Sequence, residues 1–343
     1  MALLFFLAIN LHRIPSFTSV LMMTTNISVS SSASIRLGTR TSKMALKQAD
    51  ILRGVLASAA PELAIDIIPM KSSGDWRPEQ GERNFAAMGA TKGLFAKELE
   101  EALLSGEIDL AVHSAKDLET SIPDALCLAA FLPRDDSRDA FISFQAAHPR
   151  DLPGGARVGT SSLRRAAQIL HMRPDLVVVP LRGNADTRLR KLADGQADAL
   201  LLAYAGLQRI DAVDEYVHIL PLDDMLPAAA QGALVVEMRR DHTALYDLVR
   251  RINCARTETC VTIEREFLRR LDGSCHTPVA ALATLRADGR IDFSALVATP
   301  DGRKLERRHE VFAREAALRL AGELGGELRG YLPPDLLTAS QAE

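Results

Sequence analysis

The stretches RLGTRTS (Arg36–Ser42) and RVGTSSL (Arg157–Leu163) are two versions of one phrase. Each begins as a short strand, passes a glycine and a threonine, and enters what the spacing predicts to be a helix. A second pair repeats in the same order: LLSGEIDLAV (Leu103–Val112) and LADGQADALL (Leu192–Leu201). Both read as a helix end, a glycine stop and a strand buried on both faces. Chance supplies one such match; two in the same order point to duplicated lobes of one architecture. Strands alternating with helices imply mainly parallel sheets. In such sheets ligands sit at the carboxyl ends of the strands, so two lobes frame a cleft.

Outward from these stretches the pattern holds. In the first unit Ile35–Thr39 reads as a strand, and a helix carries Met44, Leu46, Ala49, Ile51 and Leu52. A strand follows over Leu63–Pro69, then a long polar loop over residues 71–91. The next helix sets Phe95, Leu99, Leu103 and Leu104 on one face and stops at Gly106; Ile108–His113 is a buried strand. The second unit begins as a repeat near Arg157, with a helix through Leu163, Ala166, Ala167 and Leu170 and a strand over Leu176–Pro180. A helix through Leu189 and Leu192 ends at Gly195, before a strand over Asp198–Ala203. From about Cys254 the pattern changes to a helix with Ile263, Phe267, Leu268 and Leu271, stopped by Gly273. Two strands follow, Val279–Arg286 and Ile291–Thr299, joined by the hairpin signal Asp288-Gly289, and a last helix runs from about Arg314 to Arg329.

Bulk composition narrows the function. The 343 residues suit two or three domains. A net charge of −3 gives no overall pull toward nucleic acid or an anionic membrane. The 41 basic residues are mostly arginine, the residue that forks onto carboxylate or phosphate. Cys127, Cys254, Cys260 and Cys275 make no CxxC and no zinc-finger spacing, so neither a disulfide framework nor a structural metal is expected, and a reducing compartment is. The apolar run Ala2–Ile9 is too short to span a bilayer and has no positive charge before it. Residues 1–33 are read as a disordered extension or the product of an upstream start, with Met22 or Met23 the true one. A transit peptide is the alternative.

Candidate chemistry gathers where strands meet helices. Backbone N–H groups at the starts after Gly38 and Gly159 favour an anion, and Arg40, Arg164 and Arg165 add cations beside Ser42 and Ser162. The bland alternative is helix capping by the two serines with solvated arginines. Arg182 sits at a strand end beside Gly183-Asn184, where glycine permits close backbone approach, and Arg188 lies about two turns on. Asp117, in VHSAKD (Val112–Asp117), is the one acid expected among these cations. With Lys116 it could be a plain surface pair; in a cationic cleft it stays ionised and can stabilise a developing cation. A Ser-His-Asp triad has no nucleophile elbow here. Cys275 lies on a Gly/Ser turn, in LDGSCHTPV (Leu271–Val279), where spacing leaves inert and reactive readings equally open.

Taken together these motifs resemble the porphobilinogen deaminase (hydroxymethylbilane synthase) family. The resemblance runs from about Ile35 through the third domain. It rests on GTRTS, KGLFAKELE (Lys92–Glu100), VHSAKD, GTSSLRR (Gly159–Arg165), LRGN, AGLQR (Ala205–Arg209), QGAL (Gln231–Leu234) and the Cys275 turn, all in family order. It implies an α/β fold of two periplasmic-binding-protein-like lobes with mainly parallel sheets plus a small α+β C-terminal domain. The implied domains are residues 34–132 with 233–250, then 138–226, then 255–343 carrying the cofactor cysteine. It further implies a dipyrromethane cofactor joined by a thioether to Cys275, on which four porphobilinogen units are condensed with release of ammonia. Lys116, Ser162, Arg164 and Arg165 then match cofactor binders. Arg40, Ser42, Arg182, Asn184 and Arg188 match substrate binders, and Asp117 matches the catalytic acid. No metal, nucleic acid or membrane enters this picture, and the resemblance suggests a cytoplasmic monomer, or a plastid protein if residues 1–33 are a transit peptide. The chain departs from the family pattern at Ser274, at Met88, at Ala90-Thr91 and at Ala229-Ala230. A pure anion-binding module would need the arginines but neither Asp117 nor Cys275.

Overall fold

The computed structural model describes residues 34–71, 96–271 and 277–332. The N-terminal extension, most of the long polar loop and the Cys275 turn, each interpreted above, lie outside the described residues.

The first repeat folds as β1 (Ile35–Arg40), α1 (Lys43–Ala59), β2 (Ile65–Met70), α2 (Lys97–Ser105) and β3 (Leu110–Ser114), followed by β4 (Leu126–Phe131). The second folds as β5 (Asp139–Ile142), β6 (Arg157–Gly159), α3 (Leu163–Met172), β7 (Val177–Val179), α4 (Ala185–Ala193), β8 (Ala199–Ala203), α5 (Tyr204–Arg209) and β9 (Val217–Ile219). The chain then returns to the first sheet as β10 (Leu234–Arg239) and α6 (Thr243–Arg250).

The two five-stranded sheets have the same plan. One is ordered β2-β1-β3-β10-β4, the other β7-β6-β8-β5-β9. In each, the first three strands pair in parallel and the fourth runs antiparallel to both neighbours. Matching residues explain the match. A Cβ on Gly38 would lie 2.3 Å from the Ile108 side chain, and one on Gly159 would lie 2.4 Å from Leu181 and 2.7 Å from Leu200. Each repeat therefore needs glycine where the first strand presses on the apolar side chains beside it. The core strands are apolar on both faces: Leu110, Ala111 and Val112 are buried in one sheet, and Ala199, Leu200, Leu201 and Leu202 in the other.

The remainder is α7 (Ala255–Leu271), an antiparallel sheet of β11 (Val279–Leu285), β12 (Ile291–Ala298) and β13 (Leu305–Phe312), and α8 (Arg314–Arg329). Phe267 of α7, Phe293 of β12 and Phe312 of β13 meet in its core. The expected hairpin at Asp288-Gly289 is present, with Leu285 opposite Ile291 and Gly289 at φ +82°. β13 was not expected. Its residues, LERRHEVF, do not alternate apolar and polar, because it is an edge strand whose outer side meets solvent. One helical detail also differs: Leu104 is 45% exposed, since the buried stripe of α2 is Leu99, Ala102 and Leu103.

The chain passes between the two sheets twice, and the passages lie side by side. The Asp135 N–H donates to the Gly232 carbonyl at 3.2 Å, and Arg134 Nε donates to the Gln231 carbonyl at 2.8 Å. Fully buried Glu264 of α7 takes hold of both. Its carboxylate accepts from Arg134 Nη1 (2.6 Å) and Nη2 (3.0 Å), from the Ala230 N–H (2.5 Å) and from the Ala283 N–H (2.8 Å). Ala230 itself sits at φ +62°, in the left-handed region.

Candidate active site

A cavity of about 340 Å³ opens at the carboxyl ends of the parallel strands of both sheets. Arg40 ends β1, and Ser42 caps α1, accepting from the Ala45 N–H at 3.2 Å. β3 delivers Lys116 and Asp117 on a single 3-10 turn, Ala115–Asp117. From the other sheet come Arg165 on the first turn of α3, Arg182 and Asn184 after β7, and Arg188 on α4. All eight residues line the cavity. Gly183 holds φ +110° between Arg182 and Asn184, and its carbonyl accepts from Arg188 Nε at 2.8 Å. That turn brings the two arginines to one wall.

Ser162 and Arg164 are not on the cavity lining. Ser162 caps α3, accepting from the Arg165 N–H at 3.5 Å. The capping alternative is thus right about both serines and wrong about the arginines, because Arg164 and Arg165 are buried. Both arginines turn inward onto Asp139, Arg164 reaching the Leu226 carbonyl and Arg165 the Leu201 carbonyl, while Ala167 of the same helix packs against Ala280, Leu282 and Leu296. Cys275 lies outside the described residues.

Four residues here were not singled out as site residues from the sequence: Gln48 and Asp139 lie in no quoted motif, and Arg209 and Gln231 sit in AGLQR and QGAL without an assigned role. Arg209 of α5 lines the cavity, pairs with Asp135 at 2.7 Å and donates to the Gly232 carbonyl at 2.8 Å. Gln48 of α1 lines it too and donates to Ser114 Oγ at 2.9 Å, fastening α1 to β3. Asp139, at the start of β5 and fully buried, accepts from Arg164 Nη1 (2.6 Å) and from Arg165 Nε (3.0 Å) and Nη2 (2.7 Å). Gln231, also fully buried, donates to Asp139 Oδ1 at 2.9 Å and accepts from Lys116 Nζ at 3.1 Å.

The electrostatics follow from this packing. Burial alone would raise the Asp139 carboxyl, but Arg164 and Arg165 outweigh it and hold the group well below the usual carboxylate range. Lys116 is pulled down to about 8, first by burial and then by Arg165 and Arg164, against the pull of Asp117 and Asp139. Its ammonium is therefore charged below pH 8 and loses its proton above it. Carboxylate ligands stay ionised across that range, so their affinity should fall several-fold as pH rises from 7 to 9.5. Lys116→Arg should flatten the fall, since guanidinium keeps its charge; an equally steep fall in that variant would assign the titration to another group. The stability sign is the reverse. Holding Lys116 charged costs stability below pH 8, and the cost is relieved as pH climbs from 8 toward the ordinary 10.5.

Among the described lining residues Asp117 is the one carboxylate, and it shares the lining with Arg40, Lys116, Arg165, Arg182, Arg188 and Arg209. Such a cavity binds a polyanion through its arginines and keeps one negative charge for a cation that forms inside it. Its volume falls in the range of small-molecule sites. Cations from both sheets suit a dipyrromethane, each of whose rings bears two carboxylates. No group of three or more His, Cys, Asp or Glu able to hold a metal occurs among the described residues. No helix among them is long and apolar enough to cross a membrane.

Residues 35–247 match the family model "Porphobilinogen deaminase, dipyromethane cofactor binding domain", and residues 258–330 match "Porphobilinogen deaminase, C-terminal domain". A porphobilinogen deaminase of Nitrobacter winogradskyi is 48% identical over 296 residues, covering 85% of this chain and 92% of that protein. The chloroplastic porphobilinogen deaminase of Pisum sativum is 43% identical over 309 residues, covering 88% and 83%. Among solved structures, a periplasmic substrate-binding protein from Coxiella burnetii is 15% identical with a TM-score of 0.39, covering 67% of this chain and 96% of that one. With two family models spanning the described sheets and relatives this similar over most of its length, the chain belongs to the porphobilinogen deaminase family.

Proposed function

We propose that this chain is a transferase that polymerises four porphobilinogen units into hydroxymethylbilane, with release of ammonia, for tetrapyrrole biosynthesis. The observation that carries the reading is a single carboxylate, Asp117, on a described cavity lining it shares with cations from both sheets, in a chain of this family. The cofactor, when bound, supplies a pyrrole to which substrate units are added. Lys116 and Arg165, which line the cavity, and Arg164 and Ser162, which lie behind the lining, are its proposed binders, with Cys275 as the thioether anchor. Arg40, Ser42, Arg182, Asn184 and Arg188 take the acetate and propionate groups of incoming substrate.

Asp117 is the catalytic residue in this reading. Loss of ammonia from the aminomethyl group of porphobilinogen leaves a pyrrole-derived cation. The Asp117 carboxylate accepts hydrogen bonds from pyrrole N–H groups, stabilises that positive charge and takes the proton that leaves on coupling. The three sheets are read as the cores of three domains at the boundaries given above. The protein is proposed to act as a monomer in the cytoplasm, or in a plastid if residues 1–33 are a transit peptide. The Pisum relative is named chloroplastic.

An intact-mass spectrum tests the reading. Protein made where porphobilinogen is present should carry a surplus equal to two pyrrole units, and Cys275→Ser should return to the mass of the bare chain. A bare mass in the unaltered protein would remove the covalent primer and the enzyme reading with it. The same surplus persisting in Cys275→Ser would move the attachment elsewhere.

A further inference from the structure

Asp139 lies in no motif of the resemblance, yet it is the hub of the charges behind the cavity. It is completely buried at the start of β5. One carboxylate oxygen accepts from Arg164, and the other accepts from Arg165 Nε and Nη2 and from the Gln231 amide. Arg164 is held further by donating to the Leu226 carbonyl at 2.7 Å, and Arg165 Nη1 by donating to the Leu201 carbonyl at 3.1 Å. Gln231 reads both sheets. Its Nε2 donates to Asp139 and, at 2.8 Å, to the Ser137 carbonyl; its Oε1 accepts from Lys116 of the turn after β3.

We propose that Asp139 is the positioning residue of the cation site, fixing Arg165 directly and Lys116 through Gln231, so that cations from two sheets present one rigid spacing to the ligand's carboxylates. Arg165 and Lys116 line the cavity; Asp139 and Gln231 do not, so they act only through their partners. The geometry supports this in two ways. Two charge-assisted bonds to one edge of a guanidinium fix its plane as well as its place. A glutamine with its orientation set at both ends leaves Lys116 a single preferred direction. A site pre-organised in this way spends little ordering entropy when a polycarboxylate binds.

The inference rests on the function proposed above and makes a kinetic distinction within it. Arg165 and Lys116, proposed above to hold the cofactor, line the same cavity as the substrate binders, so they also meet incoming acetate and propionate groups, which keep their charge throughout the reaction and are bound alike in ground state and transition state. Loosening such cations raises KM and spares kcat. Loss of Asp117, which faces developing charge, does the opposite.

The test compares Asp139→Asn and Gln231→Met with the unaltered full-length protein. Readouts are circular dichroism for folding, intact mass for the fraction carrying the two-pyrrole surplus, and KM and kcat for porphobilinogen. Asp139→Asn should raise KM about tenfold or more and lower the loaded fraction, with kcat per loaded chain within about threefold. Gln231→Met keeps Asp139 and both arginines and should raise KM about three- to fivefold, again sparing kcat. Normal KM and full loading in a folded Asp139→Asn would overturn the proposal and leave the enzyme reading intact. A bare mass in the unaltered protein would instead sink that reading. Should Asp139→Asn not fold, Gln231→Met decides: a raised KM supports the role, and an unchanged KM overturns it.

Discussion

Asp117→Asn is expected to lower kcat on porphobilinogen by about 10²–10³-fold while KM moves by less than about threefold. The amide keeps the size and a hydrogen-bond acceptor of the carboxylate and removes only the charge. In the proposed reading substrate carboxylates are met by Arg40, Arg182 and Arg188 and cofactor carboxylates by Lys116 and Arg165, and this change touches none of them. Binding should therefore survive. What is lost is the counter-charge for the cation left when ammonia departs. No other carboxylate on the described lining can stand in for it. A cation formed among six positive side chains without its partner meets net repulsion, so the barrier rises. Steady-state kinetics on cofactor-loaded protein checks this. A kcat within about threefold of the unaltered enzyme would show that the charge of Asp117 is not required.

Glu264→Ala is expected to destabilise the fold by about 3–5 kcal/mol, because it breaks a buried ion pair by removing one partner. Arg134 would keep its positive charge in a largely enclosed place, and the N–H groups of Ala230 and Ala283 would lose their acceptor. At about 2–4 °C per kcal/mol, the melting temperature should fall on the order of 10 °C. Scanning calorimetry or denaturant unfolding measures it. A loss under about 1 kcal/mol would mean that water or a neighbouring group replaces the carboxylate. The position matters as much as the size. Glu264 touches both passages between the sheets and a strand of the third domain at once, so the damage should reach the relation between domains as well as their cores.

The lobes were legible in the sequence because they are written twice. Gly38 and Gly159 mark the same close approach in each copy, and the strands after Gly106 and Gly195 are apolar enough to need burial on both faces. Most cavity residues were legible for a related reason, since they sit at strand ends where such folds place ligands. Asp139 was not legible. In the run Asp135, Asp136, Asp139 it is one acid among several, and its meaning comes from Arg164 and Arg165, 25 and 26 residues on, and Gln231, 92 residues on. β13 was hidden by its charge: an edge strand in contact with solvent has little need of an apolar face. Leu104 misled in the opposite sense, because an apolar residue next to a buried stripe looks like part of it until the helix turn is counted.

The left-handed backbone at Ala230 has a consequence for how the protein can move. Glycine, with several comparable backbone wells, is the residue suited to such a φ. Alanine has one shallow well at positive φ, and occupying it costs about 1–2 kcal/mol. The Ala230 N–H, tied to Glu264, keeps the chain in that well. This crossing therefore behaves less like a free swivel than like a cocked spring with a catch. Any motion that turns the backbone at Ala230 must first break its hydrogen bond to Glu264.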